Sequence, residues 1–162
     1  MKLRNMASVY ITHGDEILLL YRRGSRVANN SYVASAGGHF EEGELNSPRA
    51  CVEREMYEEL GLRPEALGEM RLRYITLRRK NGEIRQIYYY FAELDDKEKV
   101  TVSNEGGLEW VKMSRCLERP MPFTAWWVVK HYIEKGRDTD ALYAGTTLPE
   151  GVVFHELREF EG

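Results

Sequence analysis

The sequence predicts an α/β (α+β) sandwich, strands mixed with two main helices, and three observations carry that expectation. Runs rich in β-branched and aromatic residues recur along most of the chain. One strongly marked helix and one weaker helix interrupt them. The longest two runs are joined by Lys80-Asn81-Gly82-Glu83, whose Asn-Gly pair is the strongest short hairpin signal.

Taken in order, Met6 to His13 is β-prone through Val9, Tyr10, Ile11 and Thr12, Gly14-Asp15 reads as a turn, and Glu16 to Arg22 as a second strand. Residues 23–31 are polar and loop-like, and Tyr32 to Ser35 suggests a short strand before a Gly37-Gly38 turn. Residues 47–60 form the clearest helix: Ser47 can cap it, Pro48 suits its first turn, and Gly61 can end it in a left-handed conformation. Val52, Met56 and Leu60 give it an apolar stripe. Met70 to Arg79 and Ile84 to Leu94 flank the Asn-Gly turn. Within the second, strand alternation sends half of Tyr88-Tyr89-Tyr90-Phe91 to the core and leaves half to stack on a base. Leu108 to Val111 reads as a further strand and Pro122 to Lys135 as a helix, on which Trp126 and Trp127 cannot both face inward. Leu142 to Leu148 and Val152 to Leu157, around Pro149-Glu150-Gly151, predict a closing hairpin.

Composition narrows the function classes. The chain has 162 residues, 43% of them hydrophobic, which suits one domain with one sizeable core. Its net charge of −3 lacks the basic excess that binding a nucleic-acid polymer needs. The longest apolar run, Ile17 to Tyr21, is far too short to cross a bilayer, so no membrane partner is expected. The start, Met-Lys-Leu-Arg-Asn, lacks the apolar run of a secretory signal, and Cys51 and Cys116 have neither disulfide nor metal spacing. A cytoplasmic location is the expectation. No repeat or linker divides the chain, so a single domain over 1–162 is expected.

The chemistry concentrates in the helix. At about 100° per residue, Glu55, Glu58 and Glu59 fall within an arc of roughly 100°, beside the apolar stripe. Like charges at this spacing are mildly destabilising, by a few tenths of about 1 kcal/mol. An acidic helix is ordinarily a solvated face, and Arg54 can simply pair with Glu58. A divalent cation would reverse the balance, because hard oxygen ligands are what Mg2+ prefers, shared with waters and phosphates.

Gly38, Glu44, Arg54, Glu55, Met56, Glu58, Glu59, Gly61 and Leu62 together resemble the Nudix box, G-x5-E-x7-R-E-U-x-E-E-x-G-U, of the MutT-like Nudix hydrolases. Two departures stand out. Nine residues separate Glu44 from Arg54 instead of seven, the extra pair falling near Leu45-Asn46, and Ala36 stands where many members have proline. The resemblance covers residues 1–135 and leaves 136–162 as an appended tail. It implies an α/β/α sandwich around a mixed sheet. It also implies hydrolysis of a nucleoside diphosphate linked to a further group, possible substrates including nucleoside triphosphates and their oxidised forms. By position, Glu55, Glu58 and Glu59 would hold Mg2+, with Mn2+ a substitute and the Gly38 carbonyl completing the shell, while Arg54 would orient a glutamate. Glu105, between glycine-flanked loop residues, would add to the catalytic set; an exposed loop acid is the other reading. Arg22, Arg23, Arg26 and His39 are candidates for binding substrate phosphates, against a solvated basic loop and a turn histidine. A module of the same fold that binds nucleotides without turnover is the alternative, against which all three helical glutamates stand. Pairing with a second copy stays open.

Overall fold

The β1 strand, Lys2–His13, organises the molecule because it is hydrogen-bonded along both edges. A computed structural model describes residues 1–24, 30–100 and 107–162. Along one edge β1 runs parallel to β6, Glu83–Glu93, from Lys2 opposite Glu83 to Thr12 opposite Glu93. That long pairing is why β1 begins earlier than its β-rich residues predict: tertiary pairing outweighs local propensity. Its other edge is shared. Met6 to Val9 pair with β4, Ala36–His39, and Ile11 to His13 pair with β2, Glu16–Arg22. In turn β2 pairs with β3, Ser31–Val33, and β7, Gly107–Lys112.

The sheet therefore forks where β4 leaves β2 behind, and Ser35 sits in the fork. Its hydroxyl accepts from Ile11 N at 2.9 Å and donates to Leu18 O at 2.6 Å, joining β1 to β2 across a fully buried point. A cleft opens between the two prongs.

The hairpin of β5, Met70–Lys80, with β6 turns at Asn81 and Gly82, both at positive φ, as its sequence predicts. The residues after 135 form β8, Tyr143–Leu148, and β9, Gly151–Glu156, a hairpin closed by Pro149-Glu150. Because β8 pairs in parallel with β5, the hairpin extends the sheet, and Trp127 packs against Gly151. Trp126 and Trp127 are both half-buried; the Trp126 indole donates to Leu117 O at 3.0 Å.

Among the described residues one α-helix covers each face of a nine-stranded mixed sheet. On one, α1, Pro48–Leu60, packs Cys51, Val52, Met56 and Leu60 against Ala7, Val9, Ile11 and Leu18. On the other, α2, Phe123–Glu134, packs Val128 and Val129 against Tyr10, Leu19, Tyr89 and Phe91. The run Tyr88 to Phe91 thus splits alternately between the two layers. Among the described residues no helix is long and apolar enough to cross a membrane.

One expectation fails. Gly37 and Gly38 are not a turn but the middle of β4, opposite Ser8 and Ala7. Neither has positive φ. They are glycines for want of space: a Cβ on Gly37 would lie 2.7 Å from Ala7 O and 2.9 Å from Ser8 Cα, and one on Gly38 would fall onto the Glu55 carboxylate.

Replacing Ser35 by Ala strands a buried backbone N–H and C=O at the fork. Urea denaturation of this variant should show a loss of about 1–3 kcal/mol; an unchanged midpoint would mean the fork is held by something else.

Candidate active site

Arg54 lies at the centre of an acidic cluster. The Ser47 hydroxyl accepts from Ala50 N at 3.2 Å to start α1, and Gly61, in the left-handed region at φ 67°, ends it. Arg54, Glu55, Glu58 and Glu59 are thereby fixed along its last two turns. Arg54 Nε and Nη2 donate to the two oxygens of Glu44 at 2.6 and 3.1 Å, and Nη1 donates to Glu55 at 3.0 Å and Glu58 at 3.2 Å. Nη2 also donates to His39 O at 3.1 Å.

Glu44 reaches Arg54 although the intervening loop is longer than the box prescribes. The added length is taken up by a tight turn: Ser47 N donates to Glu44 O at 2.8 Å, and Leu45 points outward, 65% exposed. Glu44 itself is buried and accepts from Glu41 N at 2.9 Å. The bonds from Arg54, with that backbone bond adding to them, hold its carboxyl at about 2, well below the ordinary 4.5. The sequence marks Glu44 as a motif position and assigns it no role in the site. The geometry makes it the counter-charge that fixes Arg54.

The three helical glutamates occupy different environments. Glu58 is exposed. Glu59 is buried beside β4, 3.4 Å from Gly37 N and 3.8 Å from Arg22 Nη2. Glu55 lies against Gly38, and burial raises its carboxyl above the usual range, with Arg54 opposing. With Glu41, 3.5 Å from Arg54, five carboxylates face the two guanidinium groups of Arg54 and Arg22, an excess of three negative charges when all are ionised. Among the described residues no group of three or more His, Cys, Asp or Glu side chains is placed so as to hold a metal ion as it stands. An oxygen-only, over-charged and open donor set fits a hard cation that keeps waters and shares phosphate oxygens.

The cluster opens on a cleft of about 400 Å³ between Gly37, Gly38, His39 and Phe40 on one side and Glu55 and Glu59 on the other. A second cavity of about 160 Å³ lies under the start of α2, and Met6, Arg22 and Gly37 line both. Of the candidate phosphate binders, Arg22 stands at this junction. His39 lines the cleft, and its imidazole is shifted down from 6.5 by burial and by Arg4 and Arg85. Arg23 lies exposed, 5.4 Å over the ring of Tyr21, and lines neither cavity. Arg26 and Glu105 lie outside the described residues.

A family model for the NUDIX domain matches residues 2–132, from β1 into α2. The chain belongs to the NUDIX family. Among solved structures, it is similar to the MutT protein of Bacillus halodurans, at 25% identity and a TM-score of 0.69, over 94% of this chain and 97% of that one. A NUDIX hydrolase from Nitrosomonas europaea is similar at 14% identity and a TM-score of 0.70, over 91% of this chain and 80% of that one. The Ap4A hydrolase of C. elegans shares the fold at 20% identity and a TM-score of 0.55, over 71% and 84% of the two chains. NUDIX hydrolases typically act on small nucleoside diphosphate derivatives as pyrophosphohydrolases and generally use divalent metals.

Two glycine variants separate the roles of β4. Gly37→Ala presses on β1 backbone and should lose about 1–3 kcal/mol of stability. The nearest atoms a Gly38→Ala methyl meets are the movable end of Glu55, so its denaturation midpoint should stay near wild type while the carboxylate is displaced. If both variants unfold alike, the NUDIX cleft is not shaped by this contact. Glu44 gives a pH signature. Its depressed carboxyl contributes stability above pH 4.5 that is lost as pH falls toward 2. Glu44→Gln should therefore be less stable than wild type at neutral pH, with the gap closing across that window in urea titrations.

Proposed function

We propose that the chain is a Mg2+-dependent hydrolase that cleaves the diphosphate linkage of a nucleotide or nucleoside diphosphate derivative, nucleoside triphosphates and their oxidised forms among them. The observation that carries this reading is the junction of an over-charged carboxylate cluster with a cleft that continues into a mostly apolar cavity. One end suits a cation with phosphates and the other an organic group.

In this reading Glu55, Glu58 and Glu59 would hold the metal, the Gly38 carbonyl would complete its shell, and Mn2+ would be a workable substitute. A divalent cation held there would supply charge neutralisation for the diphosphate and a lowered pKa for a bound water. Arg54 is a positioning residue: anchored by both oxygens of Glu44, it restrains Glu55 and Glu58 from splaying into solvent. Arg22, at the junction of the two cavities and beside Glu59, meets phosphate oxygens there. His39, with its imidazole shifted toward the neutral form, meets them as a hydrogen-bond donor.

The test is a panel of nucleoside triphosphates, ADP-ribose and nucleotide sugars assayed for diphosphate or phosphate release, with Mg2+ and with EDTA. Turnover should need the metal and fall by about 100-fold or more in Glu58→Gln and in Glu59→Gln. Glu58→Gln should keep its stability within about 0.5 kcal/mol, since that side chain is exposed. Tight binding with no turnover across the panel would establish instead a nucleotide-binding module.

A further inference from the structure

The β9 strand ends the sheet, and its outer edge has no partner among the described residues. Leu157 N donates to Leu142 O at 2.7 Å, and the β8–β9 ladder alternates from there to the turn without a register shift. The main chain of Gly151, Val153 and His155 is thereby turned toward β8, and that of Val152, Phe154 and Glu156 is turned outward. Open edges are normally blunted by lysine, proline or a bulge. The run Gly151–Glu156 has none of these, and Val153 on it is 45% exposed.

Two surfaces of opposite charge lie beyond the two ends of this edge. At the turn end a groove of about 310 Å³ is lined by Arg78, Arg79 and Lys80 together with Phe123 and Leu148. Among the described residues no carboxylate pairs with these three cations. At the far end, residues 157–162 leave the sheet as Leu-Arg-Glu-Phe-Glu-Gly and are exposed throughout, Phe160 most of all. Within one chain the groove and this acidic segment are separated by the length of β9, roughly 20 Å.

We infer that a second copy of this chain docks on the open edge, β9 antiparallel to β9, with residues 157–162 of each copy lying in the basic groove of the other. The register follows from the outward main-chain groups. A two-fold axis at Phe154 pairs all three outward residues, Val152 with the partner's Glu156 and Phe154 with the partner's Phe154, for about six main-chain hydrogen bonds. No like charges then stand opposite one another. Glu150 falls opposite the partner's Arg158. At about 3.3 Å per residue the segment that follows passes the turn and reaches the groove. Its two glutamates there meet Arg78, Arg79 and Lys80, and its phenylalanine meets Phe123 and Leu148. About twelve residues a side is fewer than a standard interface uses, so the dimer is of micromolar strength. The inference is independent of the hydrolase reading.

Light scattering on the full chain between about 1 and 100 µM should show the mass rising from 18.9 kDa toward twice that value. Glu156→Pro deletes an outward N–H that β8 does not use. It should keep the wild-type circular dichroism spectrum and remain monomeric. Glu159→Lys with Glu161→Lys should weaken the dimer by about tenfold or more, as should Arg79→Glu with Lys80→Glu, and the four changes together should restore it. A monomer at the highest concentration, a dimer that survives Glu156→Pro, or charge reversals that do not rescue each other each overturns the inference. Should Glu156→Pro fail to fold, the four charge reversals still decide, since all of those side chains are exposed. Loss of turnover with the dimer intact would count against the hydrolase reading alone.

Discussion

The site depends on Arg54 being fixed before any cation arrives. Several carboxylates on one short arc repel one another, and without a resident positive charge they would turn outward into water. Arg54 bonds two of them, Glu55 and Glu58, and is itself gripped by both oxygens of Glu44. The acidic helix is therefore tolerated in the folded chain and keeps its remaining negative charge directed at the cleft. This also explains how a longer loop is accommodated. The contact of Glu44 with Arg54 is kept despite the longer loop, and the Glu44–Ser47 turn takes up the extra length.

Much of this was legible in the sequence because it is local. The α1 helix follows from Ser47, Pro48 and Gly61, and the β5–β6 hairpin from Asn81-Gly82, all short-range signals. The spacing of Glu55, Glu58 and Glu59 was enough to put them along one part of the helix. The missed features are long-range. Gly37-Gly38 looks like a turn because glycine pairs usually are one; only the pairing of β4 with β1 shows that they admit neighbouring atoms. Glu44 was visible as a motif position, but its burial depends on a turn that the motif does not contain. Nothing in the sequence around Ser35 marks a bridging hydroxyl. It gains its meaning from strands brought together across the fold.

The two faces of the sheet divide the work. Residues of β1 alternate, Ala7, Val9 and Ile11 toward α1 and Tyr10 toward α2, so one strand contributes to both layers. The charged chemistry lies at the α1 side and the second cavity at the α2 side. Arg22, Met6 and Gly37 are where the two meet, and Ser35 keeps the prongs of the sheet at a set separation there.

That fork has an evolutionary corollary. Its spacing is set by main-chain hydrogen bonds to one serine, so the hydrolytic half does not rely on the shape of the opposite wall. Substitutions at Val33, Thr124 or Ala125 can reshape the second cavity without touching the acidic helix. The far wall can therefore vary in shape while the carboxylates of the acidic helix keep their mutual geometry.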